Sequence, residues 1–135
     1  MLRPPTLQQL DAGSGVRIFL CAEATDMRRG FDRLAEMVRQ SLEQDPFSGH
    51  LFVFRSRVGD KLKIFYWDTD GFAQWYKRLE EGTFRFPRVA EGQRSVEVKA
   101  SELAMLLEGI DLRSIRRTKR FRVASASSSP PAPKK

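Results

Sequence analysis

The stretch from Asp45 to Pro87 reads DPFSGHLFVFRSRVGDKLKIFYWDTDGFAQWYKRLEEGTFRFP, and it decides the fold. Aromatic and β-branched runs are broken at short intervals by Gly, Asp and Ser, the pattern of strands joined by tight turns. His50 to Arg55 and Lys61 to Trp67 read as two strands joined by Ser56 to Asp60, where Gly59 gives the backbone freedom for a turn. A second turn at Asp68 to Gly71, its glycine expected to take the positive φ, leads into Phe72 to Leu79. A third at Glu81 to Gly82 leads into Thr83 to Phe86. Phe72 to Glu80 also contains good helix formers, but its aromatics and the flanking turns favour strand. The expectation is an antiparallel β meander.

Outward from this stretch, Val16 to Ala22 is apolar on both alternating faces, as an interior strand requires. Thr25 or Asp26 can cap a helix running to Gln44, whose Met27, Phe31, Leu34, Ala35, Val38 and Leu42 fall on one stripe. Pro46 forces that helix to end before it. Gly30 lies inside it at a cost of about 1 kcal/mol relative to Ala, which suggests close approach of another backbone. Beyond a loop at 88–95, Ser95 to Lys99 reads as a short strand. Ser101 then caps a short C-terminal helix, Glu102 to Glu108, that Gly109 stops. The fold expected is a single α+β domain over residues 16–112, with a flexible leader at 1–15 and a basic, Ser/Pro-rich disordered tail at 113–135.

Charge is placed unevenly. The 24 Lys and Arg and 17 Asp and Glu give a net charge of +7, yet eight of the bases and none of the acids lie from Arg113 onward. A basic segment attracts polyanions by releasing their condensed counterions. Nucleic acid, a membrane surface and an acidic protein all satisfy that charge, as does a merely solubilising extension. Within the domain, Lys61, Lys63, Phe65 and Trp67 alternate onto one face of their strand, so cations could lie beside rings on which bases stack. The competing reading puts most of the ten Phe, two Trp and two Tyr in the core.

Cys21 and His50 are the only residues of their kinds, too few for structural zinc or a Cys-His nucleophile pair. No phosphate-cradling glycine loop precedes a Lys-Ser or Lys-Thr. Asp60, Asp68 and Asp70 raise the question of metal-assisted strand cleavage, but Asp-Thr-Asp-Gly at 68–71 is also an ordinary hairpin turn. No enzyme, metal, cofactor or small-molecule substrate is expected. A single cysteine, no apolar run near the ~20 residues of a membrane span and no secretory block point to the cytoplasm and away from a membrane.

Four segments, TDMRRGFDRLAEMV (25–38), DPFSGHLFVFRSRVGDKLKIFYWD (45–68), GFAQWYKRLEEGTFRFP (71–87) and LAMLLEGIDL (103–112), together resemble the TnpB-type accessory proteins, second open reading frame of the bacterial insertion-sequence family sixty-six. The resemblance covers most of residues 16–112, in order. It implies a non-catalytic accessory factor for DNA transposition, acting with the element's transposase and its helix-turn-helix protein and contacting DNA. The alternative is a scaffold that binds the transposase through its aromatic sheet and never touches DNA. The tail after Leu112 departs from the family's usual ending. Candidate polyanion contacts are Arg28, Arg29, Arg55, Arg57, Lys61, Lys63, Lys77 and Arg78, with Arg116, Arg117, Lys119 and Arg120 on the tail.

Overall fold

A computed structural model describes residues 15–109. The leader and the basic tail, with Arg116, Arg117, Lys119 and Arg120, lie outside the described residues. Five strands form one sheet: β1 (Ile18–Cys21), β2 (Leu51–Arg55), β3 (Lys61–Asp68), β4 (Gly71–Arg78) and β5 (Ser95–Val98). Their spatial order is β4-β3-β2-β1-β5. The meander holds for β2, β3 and β4, which pair antiparallel with Val53 opposite Ile64 and Ile64 opposite Trp75. The sheet as a whole is mixed, which corrects the all-antiparallel expectation: β1 runs parallel to β2, Ile18 opposite Leu51. Parallel neighbours need a crossover connection, and helix α1 (Phe31–Gln40) supplies it. β5 returns to the far edge, antiparallel to β1 with Ile18 opposite Val98.

Both faces of the central strands β1, β2 and β3 are buried over most of their length, because alternate residues are apolar on each side. Phe19, Cys21, Phe52, Phe54 and Phe65 pack under Leu34, Ala35 and Val38 of α1. On the other face Ile18, Leu20, Leu51, Val53, Leu62 and Ile64 meet Phe84, Phe86 and helix α2 (Ala100–Leu107) through Leu103 and Leu106. The expected strand at Thr83 to Phe86 takes no place in the sheet. Its residues still alternate: Phe84 and Phe86 turn inward while Arg85 stays exposed.

Helix α1 is ten residues long and starts five residues later than the Asp26 expected. Asp26 serves a turn instead, its carboxylate accepting the Arg28 N–H at 2.9 Å. The carbonyls of Met27 and Arg29 face the Lys63 ammonium at 2.8 and 2.9 Å. Gly30 is the N-cap residue, and a Cβ there would meet nothing within 4 Å, so no close backbone approach explains it. Phe31, expected on the buried stripe, is 43% exposed. The C-terminal end of α1 is tied to the β5 side by Arg94, which donates to the carbonyls of Gln40 and Ser41. α2 is capped at Lys99 rather than Ser101: the Lys99 N–H donates to the Glu102 carboxylate at 2.8 Å.

Candidate nucleic-acid interface

The loop between β2 and β3 is held by one buried hydroxyl. Ser56 Oγ donates to Asp60 Oδ1 at 3.2 Å and accepts the N–H groups of Gly59 and Lys61 at 3.2 and 3.1 Å. Gly59 takes φ +93°, a left-handed conformation that suits glycine, and an added Cβ would lie 3.3 Å from Thr83. Its carbonyl accepts the Phe84 N–H at 2.8 Å, so the loop and the 83–87 segment are fastened together.

That junction forms a cleft of about 480 Å³ lined by Arg55, Arg57, Arg85 and Arg88 with Phe84, Phe86 and Pro87, and by no acidic residue. Arg55 leaves the end of β2 with its guanidinium 4.6 Å over the Phe86 ring. Arg57, Arg85 and Arg88 are exposed, and none of the three has an ion-pair partner among the described residues. Guanidiniums gathered in a concave surface attract anions, and their planar forks match phosphate oxygens two at a time. A second cleft of about 520 Å³ lies beyond the loop, lined by Asp26, Arg28, Arg57, Val58, Asp60, Lys61 and the half-exposed Tyr76, among others. Here the bases are offset: Arg28 pairs with Asp26 at 2.8 Å and Lys61 with Asp60 at 3.4 Å. The Arg28 side chain holds the Asp26 carboxyl well below the usual carboxylate range.

The structure therefore gathers Arg55, Arg57, Arg28 and Lys61 around one loop and adds Arg85 and Arg88, which sequence reasoning missed. The signal for them was Phe-Arg-Phe-Pro-Arg at 84–88: if the two Phe are core, Arg85 must face outward. Lys63 is corrected from surface contact to interior anchor. It is 4% exposed, donates to two carbonyls and lies 4.9 Å over the Tyr76 ring, and burial pushes its pKa down. Arg29 lies apart from both clefts, its guanidinium against Met37 Sδ at 2.9 Å. Lys77 and Arg78 are exposed on β4 and line neither cleft, and Arg78 pairs with Glu80 at 3.4 Å.

Asp68 and Asp70 flank Thr69 in the β3–β4 hairpin, where Thr69 rather than the expected glycine takes the positive φ, +58°. Among the described residues no group of three or more His, Cys, Asp or Glu is placed to hold a metal ion. Cys21 is buried beneath α1, which pushes its thiol pKa up. His50 Nδ1 accepts the Arg17 N–H at 3.0 Å. No helix among the described residues is long and apolar enough to cross a membrane.

These features define a small α+β domain with a mixed five-stranded sheet and an arginine-lined cleft at one end of it. The chain belongs to the family described as IS66 Orf2 like protein, whose model matches residues 16–117, and it thereby takes a transposition-associated accessory role in an insertion sequence. Two relatives from Sinorhizobium fredii (strain NBRC 101917 / NGR234) are similar to it. "Uncharacterized protein y4hO" is 39% identical over 104 residues, 77% of this chain and 89% of that protein. "Uncharacterized protein y4jC" is 36% identical over 103 residues, 76% of this chain and 86% of that protein. No solved structure matches the chain.

Proposed function

We propose that this protein is a non-catalytic accessory factor of DNA transposition that works beside the element's transposase and contacts DNA through the arginine cleft. The observation that carries this reading is the convergence of Arg55, Arg57, Arg85 and Arg88 on one cleft that no carboxylate lines. Such a cleft supplies charge and forked donors for backbone phosphates and needs no cofactor to do so. The tail adds eight bases of its own.

The test is duplex binding by the full chain across a salt series. Each phosphate neutralised adds roughly 0.9 to the slope of log affinity against log salt, so four cleft contacts contribute about 3.6. Arg85→Glu with Arg88→Glu should remove about half of that contribution, and deletion of residues 113–135 should remove the tail's share alone. Absence of binding by the full chain at low salt would sink the proposal. The scaffold reading would then stand, supported by the exposed aromatic group in which Phe47, 51% exposed, meets Trp67 and Phe72 with ring centroids 5.1 and 5.2 Å away.

A further inference from the structure

We propose that the loop at 56–60 enters the minor groove of duplex DNA, with Arg57 and Val58 between the two backbones and the arginine cleft on the phosphates of one of them. This rests on the DNA-contact reading above and adds which face of the duplex is engaged and how.

Position supports it first. Arg57 and Val58 line both clefts, so the loop is the ridge that separates them. A ridge with the arginine hollow on one side, and on the other a hollow where Arg28 and Lys61 are each paired with an aspartate, suits a groove of which one phosphate backbone meets the arginines. Chemistry supports it second. Val58 is 74% exposed at the apex, a β-branched apolar group beside an arginine without an ion-pair partner among the described residues. Arginine is drawn into the negative potential of a narrow minor groove, and an apolar side chain beside it can wedge between base pairs and unstack them. Rigidity supports it third. The Ser56 hydroxyl, the Gly59 carbonyl with the Phe84 N–H, and the Asp60 carbonyl with the Leu79 N–H at 2.8 Å fix the apex before any ligand arrives. A wedge must be stiff, because a loop that yields would fold back rather than prise stacked bases apart, and ordering it on binding would cost affinity. A single strand fits less well: Phe84 and Phe86 are buried, which leaves Tyr76 as the exposed ring lining either cleft.

The experiment uses the full chain with two duplexes, one A·T-rich and one G·C-rich, each carrying 2-aminopurine at the central step so that unstacking brightens it. Wild type should bind the A·T-rich duplex more tightly and raise its fluorescence. Val58→Ala should abolish the rise and keep the salt slope. Arg57→Ala should lower the slope by roughly 0.9 and erase the preference for A·T. Arg85→Ala, a phosphate control, should weaken both duplexes equally. Both loop residues are exposed, so folding is not at stake, and circular dichroism checks it. Wild-type binding with no brightening and no preference overturns the groove proposal and leaves the DNA-contact reading intact, as does brightening that survives Val58→Ala. No binding to either duplex overturns both.

Discussion

Lys63→Met separates an interior anchor from a surface contact. The lysine is 4% exposed, and its ammonium ties β3 to the turn before α1 through the carbonyls of Met27 and Arg29. Methionine keeps most of the apolar stem, so what is lost is two hydrogen bonds to a charged donor, about 1.5–3 kcal/mol each, and a cation–π contact of about 0.5–1 kcal/mol. Relief of the ammonium's desolvation opposes this loss and amounts to several kcal/mol for a buried ion. The lowered Lys63 pKa gives that opposing effect the same sign. Because Met27 and Arg29 are only half-buried, water partly replaces the lost donor. The balance is a destabilisation of about 2 kcal/mol, which for a domain of this size lowers Tm by roughly 8–16 °C. Urea unfolding followed by circular dichroism should show a lower midpoint at unchanged m. The salt slope of DNA binding should not move, whereas loss of a phosphate-contacting lysine would lower it by roughly 0.9. A variant as stable as wild type, or a reduced slope, would refute the anchor.

Two further outcomes follow from the packing. Phe84 is 1% exposed, so Phe84→Ala should cost about 3–5 kcal/mol in urea unfolding and weaken DNA binding by the folded protein, since Phe84 seats the segment that presents Arg85. Partial burial, and after it the Arg17 charge, hold the His50 pKa below its ordinary 6.5, so the folded state binds the proton less readily than the unfolded one. Stability should be full above pH 6.5 and fall as pH drops through that value towards the lower folded pKa. His50→Gln should flatten urea midpoints between pH 7 and 5, above the range in which Glu97 titrates, because Arg17 holds that carboxyl below 4.5.

Strands were legible because alternation and turn residues are local properties. β4 was separated from a helix by its aromatics and by the turns on either side of it. Strand direction is not local, since the period of β1 is the same whether β2 runs with it or against it, so the parallel pair was invisible. The start of α1 was misplaced for a related reason. Asp26 carries the chemistry of a helix cap, but the Lys63 ammonium, 37 residues further along the sequence, lies against the carbonyls of Met27 and Arg29. That same contact moved Lys63 from the candidate site to the interior. Arg85 was legible in principle, since alternation about a buried Phe84 and Phe86 turns it outward, whereas its meeting with Arg55 and Arg57 depends on the tertiary contact of Gly59 with Phe84.

A sheet whose central strands are buried on both faces leaves recognition to its ends and edges, and here the two ends differ in chemistry. Lys61 opens β3 beside the loop that borders the arginine cleft, and Trp67 lies near its other end with Phe47 and Phe72. Six residues at about 3.3 Å each separate them by roughly 20 Å. DNA contact and partner docking therefore need not compete for surface, and an accessory protein could hold a transposase at one end of the sheet and a DNA end at the other. Arg85→Glu with Arg88→Glu should lower duplex affinity and spare co-purification with the element's transposase, whereas Phe47→Ser should do the reverse. Loss of both properties in either variant, with circular dichroism unchanged, would mean that one surface serves both partners and that the two-ended arrangement is wrong.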